Sequence, residues 1–243
     1  MAGHSKWANI KHRKGAQDKK RGKLFTRCIK EIYVAVKESG DDISSNPRLK
    51  TAIQNAKGVN MPKDTIERAI KKASLKDAES YIETTYEGYG PGGVAIFIEC
   101  TTDNINRTVA NIRAIFNKYN GELGKNGSLE FLFNRIGVFE LDKNIQNFSK
   151  EEIEMELIDG GLEEFEVIDD SYFLSTNFDN FGLMQKKLDE LQLTPKNAKI
   201  ERVPLETKKI SREKASTILS MIEKFEDDDD VQEIFHSLEI KED

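Results

Sequence analysis

An α+β protein of three domains is what this sequence predicts, and three observations predict it. Apolar residues recur at helical spacing from about Gln17 to Ala73. β-rich runs separated by a Gly-rich turn begin at Tyr81. A βαββαβ rhythm then fills residues 136–204, leaving one helix and one strand behind it. The predicted parts are a three-helix bundle with a basic arm (1–78), a discontinuous α/β domain (79–134 plus 206–243), and a ferredoxin-like domain inserted into it (135–205). Both α/β parts are expected to be sandwich-like in their layering.

Residues 1–16 carry no apolar stripe and contain Gly3 and Gly15, so they are expected to form an irregular arm. From Gln17 to Ser39 the positions Leu24, Cys28, Ile32, Ala35 and Val36 make one face of an amphipathic helix, which Gly40-Asp41-Asp42 ends. Asn46 followed by Pro47 is a start signal for a second helix with Leu49, Ile53 and Ala56 inward and Gly58 as its C′ residue. Met61-Pro62 opens a third, with Ile66, Ala69, Ile70 and Ala73 inward.

Tyr81–Tyr89 and Val94–Thr101 read as strands joined by Gly90-Pro91-Gly92-Gly93, a hairpin whose glycines supply positive φ. A helix follows from Asn104 to Tyr119, carrying Val109, Ile112, Ile115 or Phe116, and Tyr119 on one face; Ser128–Phe133 reads as a strand. The inserted domain is expected to run strand 137–141, helix capped by Ser149 with Glu152 in a capping box, strands 164–168 and 172–176, helix 179–191, and strand 198–203. A helix from Ser211, with Ala215, Ile218, Leu219, Ile222 and Phe225 inward, and a strand at Val231–Phe235 are too little for a separate core. They are expected to return to the sheet begun at residue 81.

Charge is the strongest functional signal. Residues 1–74 hold 18 Lys/Arg against 7 Asp/Glu, a net +11, whereas residues 75–243 hold 19 against 36, a net −17. A one-signed cluster of cations on an acidic body marks a surface for a polyanion, and nucleic acid is the first choice. A membrane-surface helix would set large apolar side chains opposite the cations. Beyond Met1, residues 1–23 offer only Trp7 and Ile10, which argues against a membrane. No apolar run approaches the length of a membrane helix, and the basic N-terminus lacks the apolar core of a secretory signal, so a cytoplasmic location is expected.

Lys6, Lys11, Arg13, Lys14, Lys19, Lys20, Arg21, Lys23 and Arg27 supply charge that can neutralise phosphates, and Trp7, between His4 and His12, can stack on an unpaired base. Tyr86 and Tyr89, before the Gly-rich turn, and Arg107 are candidates for a contact surface. Arg107 can also pair with Asp103 where Asp103 or Asn104 caps a helix. The Gly90–Gly93 turn is not a phosphate loop, since no Gly-Lys-Ser/Thr follows and it joins two strands. The acidic run Glu226–Asp230 lacks the alternating ligands and central Gly of a calcium loop. Cys28 and Cys100 form no spaced pair, so no metal, cofactor or disulfide is expected. No histidine stands in an activated pattern with Ser or Cys, and an enzyme with a small-molecule substrate is not expected.

The segments AGHSKWANIKHRK, AQDKKRGKLFTR, NPRLK, NMPKDTIERAIKK, YEGYGPGGVAI, TDN-x-NRT and DDVQEIFHSLEI together resemble the YebC/PmpR family, which also contains the mitochondrial translational activator of cytochrome c oxidase subunit I. The likeness covers essentially the whole chain and is looser over residues 133–225. It implies a helical N-terminal domain and two α/β domains, one inserted into the other. It further implies a DNA-binding transcriptional regulator or, as in some members, a ribosome-associated factor assisting synthesis through proline-rich stretches. The arm (His4, Lys6, Trp7, Lys11, His12, Arg13, Lys14) and the following Lys19, Lys20, Arg21 and Lys23 are the nucleic-acid surface it implies. Gly15 stands where Ala is commoner in the family. Promoter DNA and ribosomal RNA are both retained as partners, the ribosome with them, and a protein-interaction scaffold is the third reading. Predominance of lysine over Arg, Asn and Gln favours phosphate contact and RNA shape over base readout.

Overall fold

The computed structural model describes residues 21–145 and 148–241. Among them are seven α-helices and two antiparallel four-stranded sheets, with a short parallel pair of strands. Two compact units emerge: residues 75–134 with 203–241, and residues 21–74 with 135–202. The chain leaves the first unit within one strand and re-enters it within another, and those two strands are neighbours in one sheet.

In the first unit β1 (Ile82–Gly90) and β2 (Val94–Thr102) form the expected hairpin, in register from Ile82↔Thr102 to Gly90↔Val94. Gly92 and Gly93 sit at φ 77° and 76°, so the turn needs residues without a Cβ. β3 (Glu122–Leu123) and β9 (Val231–His236) complete the order β3-β1-β2-β9, and β9 pairs antiparallel with β2, so the end of the chain does return to this sheet. Alternation along β2 explains the layering. Val94, Ile96, Ile98 and Cys100 face α4 (Ile105–Lys118) and α7 (Arg212–Glu226), meeting Ile112, Phe116, Ile218, Met221 and Phe225. Ala95 and Phe97 face the other way, against Leu129, Phe133 and Phe235. Glu87 is buried beneath that second layer, and its carboxylate accepts the N–H groups of Gly127 (2.7 Å) and Leu129.

The second unit holds the ferredoxin-like βαββαβ order: β4 (Phe133–Asp142), α5 (Lys150–Ile158), β5 (Leu162–Ile168), β6 (Ser171–Asn177), α6 (Phe181–Glu190) and β7 (Asn197–Pro204). Its sheet runs β5-β6-β4-β7. Phe139, Leu141, Tyr172 and Leu174 pack on Ile153 and Leu157 of α5 and Met184 and Leu188 of α6. The Ser149–Glu152 capping box forms as expected. The same unit contains α1 (Arg21–Ser39), α2 (Pro47–Gly58) and α3 (Lys63–Ala73).

Three expectations need correction, and one strand pair was not foreseen. Residues 128–133 are not a strand: Glu130–Leu132 form a 3-10 turn and the strand begins at Phe133. The apolar run imitated a strand, but Phe131 points to solvent at 70% exposure. Gly58 is not a left-handed C′ residue. It lies inside α2, and Asn60, at φ 58°, takes the left-handed position. Gly58 is glycine because a Cβ there would stand 1.8 Å from the Lys196 carbonyl oxygen. Leu219 is exposed, and Met221 fills the core in its place. Lastly, β8 (Lys208–Ile210) and β10 (Leu238–Ile240) form the parallel pair, each too short to register as a pattern.

Candidate nucleic-acid interface

The helical head is fixed around one polar residue. Asn46 is fully buried, its Oδ1 accepting the Leu49 N–H at 2.9 Å as N-cap of α2. Its Nδ2 donates to the carbonyls of Ala35 (2.8 Å) and Gly40 (2.7 Å). One amide thus satisfies the open start of α2 and the last turn of α1, which sets the angle between the two helices. Leu49, Ala52, Ile53 and Ala56 of α2 and Ile66, Ala69 and Ala73 of α3 are buried with Ile32, Ala35 and Val36 of α1.

The cations of this head divide into tied and presented. On α1, Lys23, Arg27, Lys30 and Lys37 recur at spacings of three, four and seven and so share one stripe. Lys23 and Arg27 are half-buried, Lys30 is buried and Lys37 is exposed. Arg48 is held by Glu38 at 2.8 Å and Glu31 at 3.6 Å, and Lys50 pairs with Asp189 of α6. Arg68 donates to the Asp64 carbonyl and the Thr65 hydroxyl. Lys57, Lys63, Lys71, Lys72 and Lys76 are exposed. Lys71 and Lys72 were absent from the candidates, and their clustering in the last turn of α3 would have found them. Cations at a helix C-terminus also stabilise the helix through its dipole, so that signal is shared between two roles.

His4, Lys6, Trp7, Lys11, His12, Arg13, Lys14, Lys19 and Lys20 lie outside the described residues. Arg21 opens α1, but its side chain lies outside them too.

Tyr86, Tyr89 and Arg107 do not form one patch. Tyr86 is half-buried against the α4/α7 layer, whereas Tyr89, an odd number of residues along β1, faces the opposite side of the strand at 41% exposure. Arg107 lies beyond Thr102, at the other end of the hairpin from Tyr89, whose partner is Ala95. Its guanidinium is shared by two carboxylates, Asp103 Oδ1 and Asp230 Oδ2, each at 2.7 Å, which raise its pKa further. Asn104 is the N-cap, accepting the Arg107 N–H at 3.0 Å. The Thr108 hydroxyl lies 2.9 Å from Asp230 Oδ2 and 2.8 Å from the Thr102 hydroxyl. The Thr101–Thr108 motif is therefore a clasp between β2, α4 and the start of β9.

Most of the acidic run that closes α7 is engaged in the same way. Asp228 accepts from Asn111 at 2.9 Å, Asp227 lies 3.8 Å from Lys224, and Asp230 belongs to the clasp. Among the described residues no group of three or more His, Cys, Asp and Glu side chains is placed to hold a metal ion. Burial, with help from Glu31, pushes the Cys28 thiol up to about 12, so it stays protonated at neutral pH and is a poor nucleophile. No helix among the described residues is long and apolar enough to cross a membrane.

Comparison with known proteins covers nearly the whole chain. A family model described as the TACO1/YebC protein N-terminal domain matches residues 5–76, and one described as the TACO1/YebC second and third domain matches residues 81–238. A probable transcriptional regulatory protein of Amoebophilus asiaticus is 49% identical over 241 residues, 98% of each chain. One from Bacillus subtilis is 43% identical over 236 residues, 97% of this chain and 98% of its own. The crystal structure of a conserved hypothetical protein from Aquifex aeolicus superposes with a TM-score of 0.79 at 37% identity, covering 92% of each chain.

Proposed function

The chain belongs to the TACO1/YebC family, and from that premise we propose that it is a non-enzymatic, nucleic-acid-binding regulator of gene expression acting in the cytoplasm. The observation that carries the proposal is the segregation of charge: a net +11 over residues 1–74 against −17 over the remainder. Cations gathered on one module repel each other unless a polyanion neutralises them, and the acidic remainder keeps the rest of the protein off the same polyanion. Binding is carried by the arm and the first turns of α1, from His4 to Arg27.

The names of the relatives favour promoter DNA as the target. A second reading, ribosomal RNA on the ribosome, is favoured by the side chains. In α2 and α3 the arginines are already engaged, Arg48 by Glu38 and Arg68 by its own helix, and the presented cations are lysines. Arginine reads guanine edges in pairs of hydrogen bonds, whereas lysine is mainly a phosphate contact.

Sedimentation of cell lysate through sucrose separates the two. Salt-sensitive migration with ribosomal particles, lost on deleting residues 1–20, is the outcome expected of the RNA reading. A free protein that protects a defined promoter from cleavage is the outcome expected of the DNA reading. A protein indifferent to both, with partner proteins still bound, would leave only a scaffold.

A further inference from the structure

Helix α5 is apolar on two faces. Ile153 and Leu157 point into the unit and are fully buried, while Met155 and Ile158, on the other side, are 73% and 62% exposed. A single inward stripe is enough to pack a short helix on a sheet, so the outward pair adds nothing to this core. Single exposed apolar residues are ordinary. These two are three residues apart, hence neighbours on the helix surface, and acids surround them.

Residues 150–159 contain five acids and one lysine, a net −4. Glu152 is held in the capping box and Glu156 pairs with Lys187 at 3.1 Å. The Lys150 ammonium lies over the Phe165 ring. Asp159 is 3.9 Å from Lys187 but its side chain is 85% exposed. Glu151 and Glu154 are exposed and, among the described residues, make no ion pair. On the helical wheel Glu154 and Asp159 flank Met155 and Ile158, and Glu151 stands one turn before Met155. The result is an apolar centre with a negative rim, in which Asp159 is near Lys187 while Glu151 and Glu154 are exposed without an ion pair among the described residues.

We infer that the outward face of α5 docks a basic protein segment carrying a large apolar anchor, that is, a Lys/Arg-rich amphipathic helix or tail of another protein. Charge complementarity selects the occupant. The rim repels phosphodiesters, so the partner is a polypeptide, and the apolar pair rewards only a segment that brings apolar side chains among its cations. Nine residues of helix span about 14 Å, so this is a small, reversible contact whose affinity rests on two side chains. The inference is independent of which nucleic acid the head binds. It gives the acidic body a partner of its own.

Calorimetric titration of the full chain in about 150 mM salt tests it. The probe is a synthetic peptide of about 16 residues, Lys/Arg-rich with Leu and Trp at i, i+3 and i+7, beside a control of equal charge with Ser at those positions. The amphipathic peptide binds, and the control binds at least about tenfold more weakly. Met155→Ser with Ile158→Ser lowers affinity by about tenfold or more, as does Glu151→Lys with Glu154→Lys. Both pairs are surface changes, and unchanged thermal unfolding verifies that each variant is folded. No binding of the amphipathic peptide, or equal binding by the Ser variant, overturns the inference. So does a gain of about tenfold on deleting residues 1–20, which would make the face a resting place for the chain's own arm. A dimer dispersed by Met155→Ser would make the occupant a second copy, and would overturn it equally.

Discussion

The side-chain amide of Asn55 makes two hydrogen bonds with the backbone of Ala198, donating to its carbonyl at 2.9 Å and accepting its N–H at 2.8 Å. Ala198 belongs to β7, an edge strand, so an asparagine of α2 does there what a neighbouring strand would do. Gly58, one turn further along α2, lets the helix approach until the Lys196 carbonyl occupies the place of a Cβ. The Thr51 hydroxyl, which accepts from Gln185, and the Lys50–Asp189 ion pair extend the seam to α6. The basic head is thereby joined to the ferredoxin-like sheet within one compact unit.

Asn55→Ala removes both bonds and leaves two backbone groups of β7 unpaired, at an expected cost of about 1–3 kcal/mol. Gly58→Ala forces a backbone shift and costs about 1–3 kcal/mol as overpacking. Denaturant titration of each variant measures both. A cost near zero for Gly58→Ala would mean that the two segments are further apart than described.

Arg107 and Asp230 form the second clasp, and here the burial is one-sided: Asp230 is buried and Arg107 is half-exposed. Arg107→Ala takes the guanidinium away from the buried Asp230 carboxylate, an expected loss of about 1–3 kcal/mol. Asp230→Asn weakens the same contact, so the double variant should lose less than the two single losses added together. Affinity for nucleic acid should not change in Arg107→Ala; a large drop would make Arg107 a phosphate contact instead.

Stability should fall in acid. Hydrogen bonds from the Ser149 N–H and hydroxyl hold Glu152 below its ordinary 4.5, and the Lys196 ammonium, then the Asn144 N–H, hold Asp142 below 3.8. A carboxyl lowered in the folded state stabilises above its unfolded pKa, and that contribution disappears as pH falls through the folded value. Full stability is therefore expected above about pH 5, with a decline below it. In Glu152→Gln with Asp142→Asn the unfolding temperature should be lower at pH 7 and should fall less between pH 5 and 3 than in the parent. An unchanged slope would remove these two carboxyls from the account.

Trp7 is the only tryptophan, so the intrinsic fluorescence at long wavelength reports on the arm. Single-stranded RNA should quench it by stacking, and Trp7→Ala should weaken binding by about 1–3 kcal/mol. Quenching by duplex DNA alone, with no response to single strands, would point away from base stacking.

Much of the architecture was legible because it was locally encoded. Asn46-Pro47 and the Ser149–Glu152 box announce helix starts wherever they occur, and the hairpin turn shows itself by glycines at positive φ. The ferredoxin-like order followed from element types alone. What was illegible depends on distant partners. Nothing near Glu87 indicates that its carboxylate will hold residues 127 and 129, forty positions away. Arg107 could be assigned to Asp103, four residues back, but not to Asp230, which is 123 residues on. Gly58 resembles any helix-ending glycine until Lys196 is seen against it. At the candidate interface, the charge asymmetry was plain in the sequence. Which cations are already taken, such as Arg48 by Glu38, required the fold.

The most direct test is the salt dependence of nucleic-acid binding by the full chain and by the variant Lys19→Glu, Lys20→Glu, Arg21→Glu, Lys23→Glu. Arg21 and Lys23 lie in the first turn of α1, where acids suit the helix dipole, so the variant should fold. For ribosomal RNA and for duplex DNA the logarithm of the binding constant should fall linearly with the logarithm of salt concentration. The variant should bind far more weakly, with a slope shallower by about 3. Equal affinity and equal slope in parent and variant would contradict the basic head as the nucleic-acid surface.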